Sequence, residues 1–201
     1  CAGGTCTEGA VGTYTLQVTR VADPQVATPE TGDPATGWVT IGTLEYKTAF
    51  PTLFNPHLRH RYDVSSDGQP IAATGIRIKP SSNTMVIDEI EVNPALAPDQ
   101  NLLVITPEMG YAITWDGNNG DYSSADPGAT APDNAALSRN GATVFASSAM
   151  ETSMYSIGGA TDGLYGDTHA WAANVVDGAD LDPFVGVAFG QPIAVTDVAF
   201  G

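Results

Sequence analysis

The residues best suited to chemistry form the segment 57–61, which reads His-Leu-Arg-His-Arg. This segment holds four of the ten Lys, Arg and His residues of the chain. Because side chains alternate between the two faces of a strand, Arg59 and Arg61 would share one face. Two interpretations fit this pattern. Either His57 and the two arginines donate hydrogen bonds to sugar hydroxyls, or the arginines pair with carboxylates on adjacent strands of a very acidic protein.

Tryptophan side chains are a second candidate for sugar recognition, since an indole ring offers a flat surface to a sugar. Trp38 stands directly after a glycine at the start of an alternating segment, which indicates a core position. Trp115 directly precedes an Asp-Gly turn, and it is the tryptophan that we expect to be most exposed. We therefore add Trp115 to segment 57–61 as a candidate carbohydrate-binding residue.

The two cysteines of the chain, Cys1 and Cys6, stand close together in the stretch CAGGTC. This spacing matches no zinc site, because nothing in the sequence supplies a second pair of ligands. One interpretation is a disulfide that closes a small Gly-rich loop, which fits an oxidising, extracellular setting. The other is that Cys1 is the lipidated first residue of a bacterial lipoprotein.

Catalytic motifs are not readable in this sequence. It has no H-E-x-x-H, no G-x-S-x-G and no P-loop, and no nucleophile stands at a recognisable spacing from a base. We therefore predict that the protein is not an enzyme.

The composition of the 201 residues excludes two classes of partner. Seven Lys+Arg against 23 Asp+Glu give a net charge of −16, whereas nucleic-acid binding needs clustered positive charge. No apolar run approaches the roughly 20 residues of a membrane span, so we predict no membrane insertion. Abundant Gly (22) and Pro (14) with little Lys are typical of secreted all-β modules. We therefore expect an extracellular protein at a cell surface.

The elements that must position these residues are strands. Apolar and polar residues alternate with period 2, and no stretch of ten or more residues has a helical period. Turn-forming Pro, Gly, Asp and Ser clusters separate the alternating segments. These segments are 13–20, 38–47, 57–64, 72–79, 85–92, 102–106, 110–115, 142–148, 184–190 and 193–200. The number and spacing of the segments predict an all-β, antiparallel sandwich.

Several stretches are similar to one known domain. The rear of the chain has TDG at 161–163 ahead of Trp171, then FVGVAFGQPIAVTDVAFG at 184–201. The front has GIRI at 75–78 and IDEIEV at 87–92. These stretches resemble the discoidin-like domain, the jelly-roll sandwich of coagulation-factor C-type and galactose-binding modules. In that family the tryptophan after the Asp-Gly loop lies in the core, which implies the same for Trp171.

The two halves of the resemblance stand in reversed order. Residues 1–92 resemble the closing half of the domain, 93–109 form a connector with three prolines, and 110–201 resemble the opening half. Three arrangements explain the reversal. The domain is circularly permuted within one chain, the chain is one unit of a tandem array, or the halves pair between neighbouring chains.

Pairing between chains is the arrangement that we favour from the sequence. The apolar strand 193–200 would otherwise expose an unpaired edge, so we expect it to pair antiparallel with 13–20 of a neighbour. Head-to-tail pairing need not close, which predicts a homopolymer that serves as a structural unit of an extracellular fibre or surface array. The alternative function is a calcium-stabilised carbohydrate-binding module with glycans as partners.

The resemblance also implies a calcium ion. Many discoidin-like carbohydrate modules hold Ca²⁺ where the first loop meets the last strand, which corresponds here to Asp162 and Glu89. The carbonyl of Asp88 and the pair Asp167 and Thr168 are secondary candidates. Such residues suit Ca²⁺, which takes about six to eight oxygen ligands. In the alternative interpretation Asp162 caps a turn and Glu89 is a surface residue of a strand.

Overall fold

The computed structural model describes residues 12–46, 58–64, 70–94, 104–105, 111–115, 134–152, 154–163, 170–175 and 180–201. Some predicted site residues lie outside these ranges, namely Cys1, Cys6, His57, Asp167 and Thr168. The side chains of Arg59, Arg61 and Trp115 are also outside the description, although their backbone is inside it. The disulfide between Cys1 and Cys6 therefore stays a prediction.

Strands dominate this part of the chain, as the alternation predicts. In chain order they are β1 (Gly12–Thr19), β2 (Val39–Tyr46), β3 (Leu58–Asp63), β4 (Ile71–Pro80), β5 (Val86–Ile87), β6 (Ile90–Asn93), β7 (Val104–Ile105), β8 (Tyr111–Trp115), β9 (Thr143–Ala146), β10 (Trp171–Ala172), β11 (Val185–Val195) and β12 (Asp197–Phe200). The helices of the described ranges are two 3₁₀ segments, Ser138–Asn140 and Ile157–Thr161. Neither is long and apolar enough to cross a membrane.

The strands form two five-stranded antiparallel sheets and a short ribbon. The first sheet has the order β2-β1-β4-β11-β9, the second has the order β6-β12-β3-β8-β7, and the ribbon pairs β10 with β5. Both sheets combine strands from before and after the connector 93–109, and β7 lies inside that connector. The front and rear of the chain therefore fold together within one molecule.

The core lies between the two sheets. The ring centre of Phe200 on β12 is 4.7 Å from that of Tyr14 on β1 and 5.4 Å from that of Tyr62 on β3. Fully buried apolar side chains come from both inner faces, including Leu16, Ile76, Ile78, Val187, Ile90, Val92 and Val198. Each such side chain contributes about 1.5–3 kcal/mol when it leaves water. This packing confirms the predicted all-β antiparallel sandwich.

The predicted pairing of 193–200 with 13–20 is wrong. Residues 193–195 end β11 and pair with Ala73–Ile71 of β4, and β12 then pairs with β3 on one edge and β6 on the other. The chain crosses between sheets at Thr196, whose N–H donates to the Asn93 carbonyl at 3.0 Å. Because β12 has neighbours of its own chain on both edges, it exposes no unpaired edge.

The sequence predicts one strand over 85–92, and this prediction is also wrong. It breaks at Asp88 and Glu89 into β5 and β6, which belong to the ribbon and to the second sheet. The apolar residues indicate why, since Ile87 and Ile90 are separated by three positions instead of two. A three-residue step reverses the phase of a period-2 pattern, so the chain must turn there to keep both side chains in the core.

A second apolar cluster covers the outer face of the first sheet. Its members are Trp38, Phe145, Phe184 and Ala188. Arg77 is only 3% exposed beside them, and its guanidinium carbon lies 4.8 Å from the Trp38 ring centre and 4.5 Å from that of Phe184. Its Nε donates to Gln17 and its Nη2 to Glu30, both at 2.6 Å. This buried positive charge is thus paired and hydrogen-bonded, as burial requires.

Candidate cation site

Glu89 is held in the break between β5 and β6 by pairing on both sides. Ile87 pairs with Trp171 of β10, and Ile90 pairs with Phe200 of β12. The backbone of Gly201 closes the gap, since its N–H donates to the Glu89 carbonyl at 3.2 Å and its carbonyl accepts from the Asp88 N–H at 2.7 Å. These contacts fix the backbone from which the Glu89 side chain projects.

The second part of the site is the turn that follows the 3₁₀ helix Ile157–Thr161. The Ser156 hydroxyl caps the start of this helix by accepting from the Gly159 N–H at 3.2 Å. Asp162 ends the helix, and Gly163 follows at φ +91°, a left-handed conformation that favours glycine. In this conformation the Gly163 N–H donates to Oε2 of Glu89 at 3.0 Å. The fold therefore brings the TDG and IDEIEV stretches into direct contact.

The Glu89 carboxyl is in an unusual environment. Its side chain is 0% exposed, and Oε1 has no hydrogen-bond partner. Burial raises the pKa of Glu89 well above its usual value, and the nearby charges of Asp162 and Asp88 raise it further against the hydrogen bond from Gly163. An ionised carboxylate without a partner is very costly to bury. This carboxyl must therefore hold a proton or be balanced by a cation.

The oxygens near Glu89 are of a type that calcium binds. Glu89 has a free oxygen, and Asp162 and Asp88 add negative charge that favours a divalent cation. Carboxylate oxygens are the kind of ligand that Ca²⁺ prefers, and carbonyls or water commonly complete its coordination. Among the described residues, which omit the loop with Asp167 and Thr168, no three His, Cys, Asp or Glu side chains lie close enough to hold a metal, so Glu89, Asp162 and Asp88 do not form such a group by themselves. The alternative interpretation of Glu89 as a surface residue is wrong.

Three of the predicted carbohydrate-binding residues, Arg59, Arg61 and Trp115, have their backbone on the second sheet, whereas His57 lies outside the described residues. Strand β3, which carries Arg59 and Arg61, is an inner strand between β12 and β8. Arg61 lies opposite Ala199, which in turn lies opposite Glu91 on β6, so a carboxylate stands two strands away in the same row. Trp115 ends β8 opposite Leu58. The sugar-binding and ion-pairing interpretations of this segment both stay predictions.

The other tryptophans are core residues, as predicted. Trp171 is 0% exposed and donates from Nε1 to the Ser148 carbonyl at 2.8 Å. Trp38 is 1% exposed, but it belongs to the cluster on the outer face of the first sheet.

Sequence reasoning missed the contribution of Gly163. An Asp-Gly dipeptide is a recognised turn signal, and its left-handed glycine could have been read from the sequence. Its N–H contact with Glu89 could not, because that contact depends on the tertiary fold.

When the chain is compared with protein-family models, with curated proteins and with solved structures, none of them matches it.

Proposed function

We propose that this chain is a non-enzymatic, extracellular carbohydrate-binding module that is stabilised by a calcium ion at Glu89 and Asp162. The observation that carries the cation is the unpartnered Oε1 of the fully buried Glu89. Calcium would supply the positive charge that this carboxylate lacks. The Gly163 N–H orients the carboxylate through Oε2, and the Asp162 turn is thereby tied to the break between β5 and β6.

The carbohydrate part of the proposal rests on the discoidin-like resemblance. If the reversed halves form one permuted domain, the Asp-Gly loop and the IDEIEV strand should meet within a single chain. The hydrogen bond between Gly163 and Glu89 is a contact of this kind. The strand order supports the permuted arrangement, because both sheets mix strands of the front and rear segments.

Assembly into a fibre or surface array is the other function that the sequence suggested. That prediction depended on an unpaired strand at 193–200, and the partners of this strand lie in the same chain. We therefore favour carbohydrate binding over assembly. A measurement of the protein's size in solution tests the homopolymer.

Thermal unfolding with and without calcium tests the cation. Calcium at about 100 times its Kd stabilises the folded state by about 2.7 kcal/mol. For a chain of about 200 residues this corresponds to a rise in Tm of about 5–10 °C over the protein in EDTA. Asp162→Asn should abolish most of this rise.

The matched control is Asp23→Asn, because Asp23 is also exposed and its φ of 51° suits asparagine. This variant should keep the full response to calcium. The same samples are then applied to an array of neutral and acidic glycans. A Tm that ignores calcium contradicts the cation, and the absence of binding to every glycan contradicts the carbohydrate function.

A further inference from the structure

A polar groove of about 550 Å³ lies at one end of the first sheet. Its lining comes from three segments: Thr15 of β1, residues 79–83 at and beyond the end of β4, and residues 181–183 ahead of β11. Hydroxyl, amide, ammonium and carboxylate groups therefore converge on one concavity. Its volume is within the range of small-molecule sites, which is about 300–1,000 Å³.

The wall formed by residues 181–183 is held in place by Asp180. Its carboxylate accepts hydrogen bonds from the hydroxyls of Ser147 and Ser148 and from the Asp182 N–H. Burial acts to raise the pKa of Asp180, but these hydrogen bonds outweigh it and the pKa is lowered, which keeps the carboxylate ionised. Asn83 joins the opposite wall to this one by donating to the Asp180 carbonyl at 3.1 Å. A groove fixed in this way is formed before a ligand arrives, which lowers the entropic cost of binding.

The charges in the groove compensate each other. The ammonium of Lys79 donates to Glu30 at 2.6 Å and to Asp182 at 3.0 Å. Burial acts to lower the pKa of Lys79, but its two carboxylate partners outweigh it and the pKa is raised. The same hydrogen bond from Lys79 lowers the pKa of Glu30. Lys79 is therefore positively charged at neutral pH. Its two carboxylate partners balance this charge, so it does not attract a free anion.

One apolar side chain stands at the edge of these polar groups. Leu181 is 90% exposed, whereas Asp180 before it is half-buried and Pro183, two residues after it, is buried. The hydrogen bonds of Asp180 present this leucine on a defined backbone. An exposed apolar group beside fixed polar groups matches the two kinds of surface of a sugar ring, its C–H face and its hydroxyls.

We propose that this groove binds a neutral pyranose, with the Lys79–Asp182 pair and the amide of Asn83 on its hydroxyls and Leu181 against its C–H face. The inference rests on the proposed carbohydrate-binding function and places that function on the first sheet instead of on segment 57–61. A charged pair offers strong donors and acceptors together. Because the pair carries no net charge in a protein of net charge −16, it favours a neutral sugar over an acidic one.

The test measures binding of methyl glycosides of galactose, glucose and mannose, and of a sialylated trisaccharide, by calorimetry and saturation-transfer NMR. The groove variants are Leu181→Ala and Asp182→Asn. The matched controls are Val26→Ala, which shortens another exposed apolar side chain, and Asp23→Asn, which neutralises another exposed aspartate. Neither control residue lines the groove.

The expected result is binding of at least one neutral glycoside that each groove variant weakens about tenfold, or about 1.4 kcal/mol, while both controls bind normally. Binding that survives both groove variants overturns this site and leaves the carbohydrate function standing. A preference for the sialylated sugar overturns the neutral class. The absence of binding to every sugar overturns the function and the groove together.

Discussion

The substitution Glu89→Gln distinguishes two possible roles of the Glu89 carboxyl, namely a ligand of a cation and a group that only supports the fold. Glutamine keeps the shape of the side chain and an oxygen for the Gly163 N–H, which donates at 3.0 Å in the present structure. It removes the negative charge and the titrating proton. If Glu89 binds calcium, Glu89→Gln should be at least as stable as the wild type in EDTA and clearly less stable in saturating calcium.

The size of this reversal follows from the environment of Glu89. In EDTA the wild type carries a buried carboxyl with one unpartnered oxygen, whereas the variant carries no ionisable group. In calcium at about 100 times its Kd the wild type gains about 2.7 kcal/mol, or about 5–10 °C in Tm, and the variant gains little. The order of the two melting temperatures should therefore change between the two conditions.

The pH dependence in EDTA provides an independent check. The folded pKa of Glu89 is raised, so its contribution to stability is fully present below the unfolded pKa of about 4.3 and is lost as the pH rises through the folded pKa. The wild type should therefore lose stability relative to Glu89→Gln as the pH rises from about 4.3 towards the raised folded pKa. The loss is about 1.36 kcal/mol for each unit by which folding raises the pKa. Bound calcium should remove most of this dependence.

Calorimetry of both proteins over this pH range, in EDTA and in calcium, is the assay. The reasoning is refuted if the wild type exceeds Glu89→Gln by the same amount in both conditions. It is also refuted if the stability difference between the two proteins does not change with pH in EDTA. Either result would mean that the Glu89 carboxyl is satisfied by the folded chain itself.

Three further predictions concern packing, size and the last strand. Gly186→Ala should destabilise the fold by about 1–3 kcal/mol in denaturant unfolding. The reason is that a Cβ there would lie 2.7 Å from the Arg77 Cβ and 2.8 Å from the Ile76 carbonyl oxygen. The control is Gly190→Ala on the same strand, which should change stability little because a Cβ there would meet nothing within 4 Å. The full chain should elute and scatter light as a 20.8 kDa monomer, and deletion of residues 193–201, which supply an inner strand of the second sheet, should abolish folding. An open series of oligomers would contradict the single-chain closure and favour the fibre.

The fold class could be predicted because alternation is a local property of the sequence. The pairing of the strands could not be predicted in this way, and the wrong pairing of 193–200 has one physical source. Val195 and Val198 are both fully buried, but they are separated by three positions, so they cannot face the same side of one strand. The crossing at Thr196 follows from this phase change, and the break at Asp88 follows from the same change between Ile87 and Ile90. The phase of the pattern would have located both breaks.

The phase change also explains how a carboxyl comes to be buried. Glu89 continues the inward positions of Met85 and Ile87, so its side chain enters the core side of the ribbon before the chain turns into β6. Local sequence preferences do not predict an acidic residue at such a position, because Glu is almost never fully buried unless it is paired. Its environment could be found only from the structure.

Arg77 and Glu89, two of the buried residues of charged type in the described part of the chain, differ in how their polar atoms are satisfied. Arg77 is buried on the outer face of the first sheet, where Gln17, Glu30 and two aromatic rings accommodate it. Among the described residues, the buried side-chain atoms without a hydrogen-bond partner are Glu89 Oε1 and the indole nitrogen of Trp38. The indole is neutral and loses one hydrogen bond, whereas a carboxylate that loses its partner carries a full charge out of water. The same chain thus satisfies a buried guanidinium within its own fold and leaves one oxygen of a buried carboxyl without a partner. This difference is the reason that we propose a cation at Glu89.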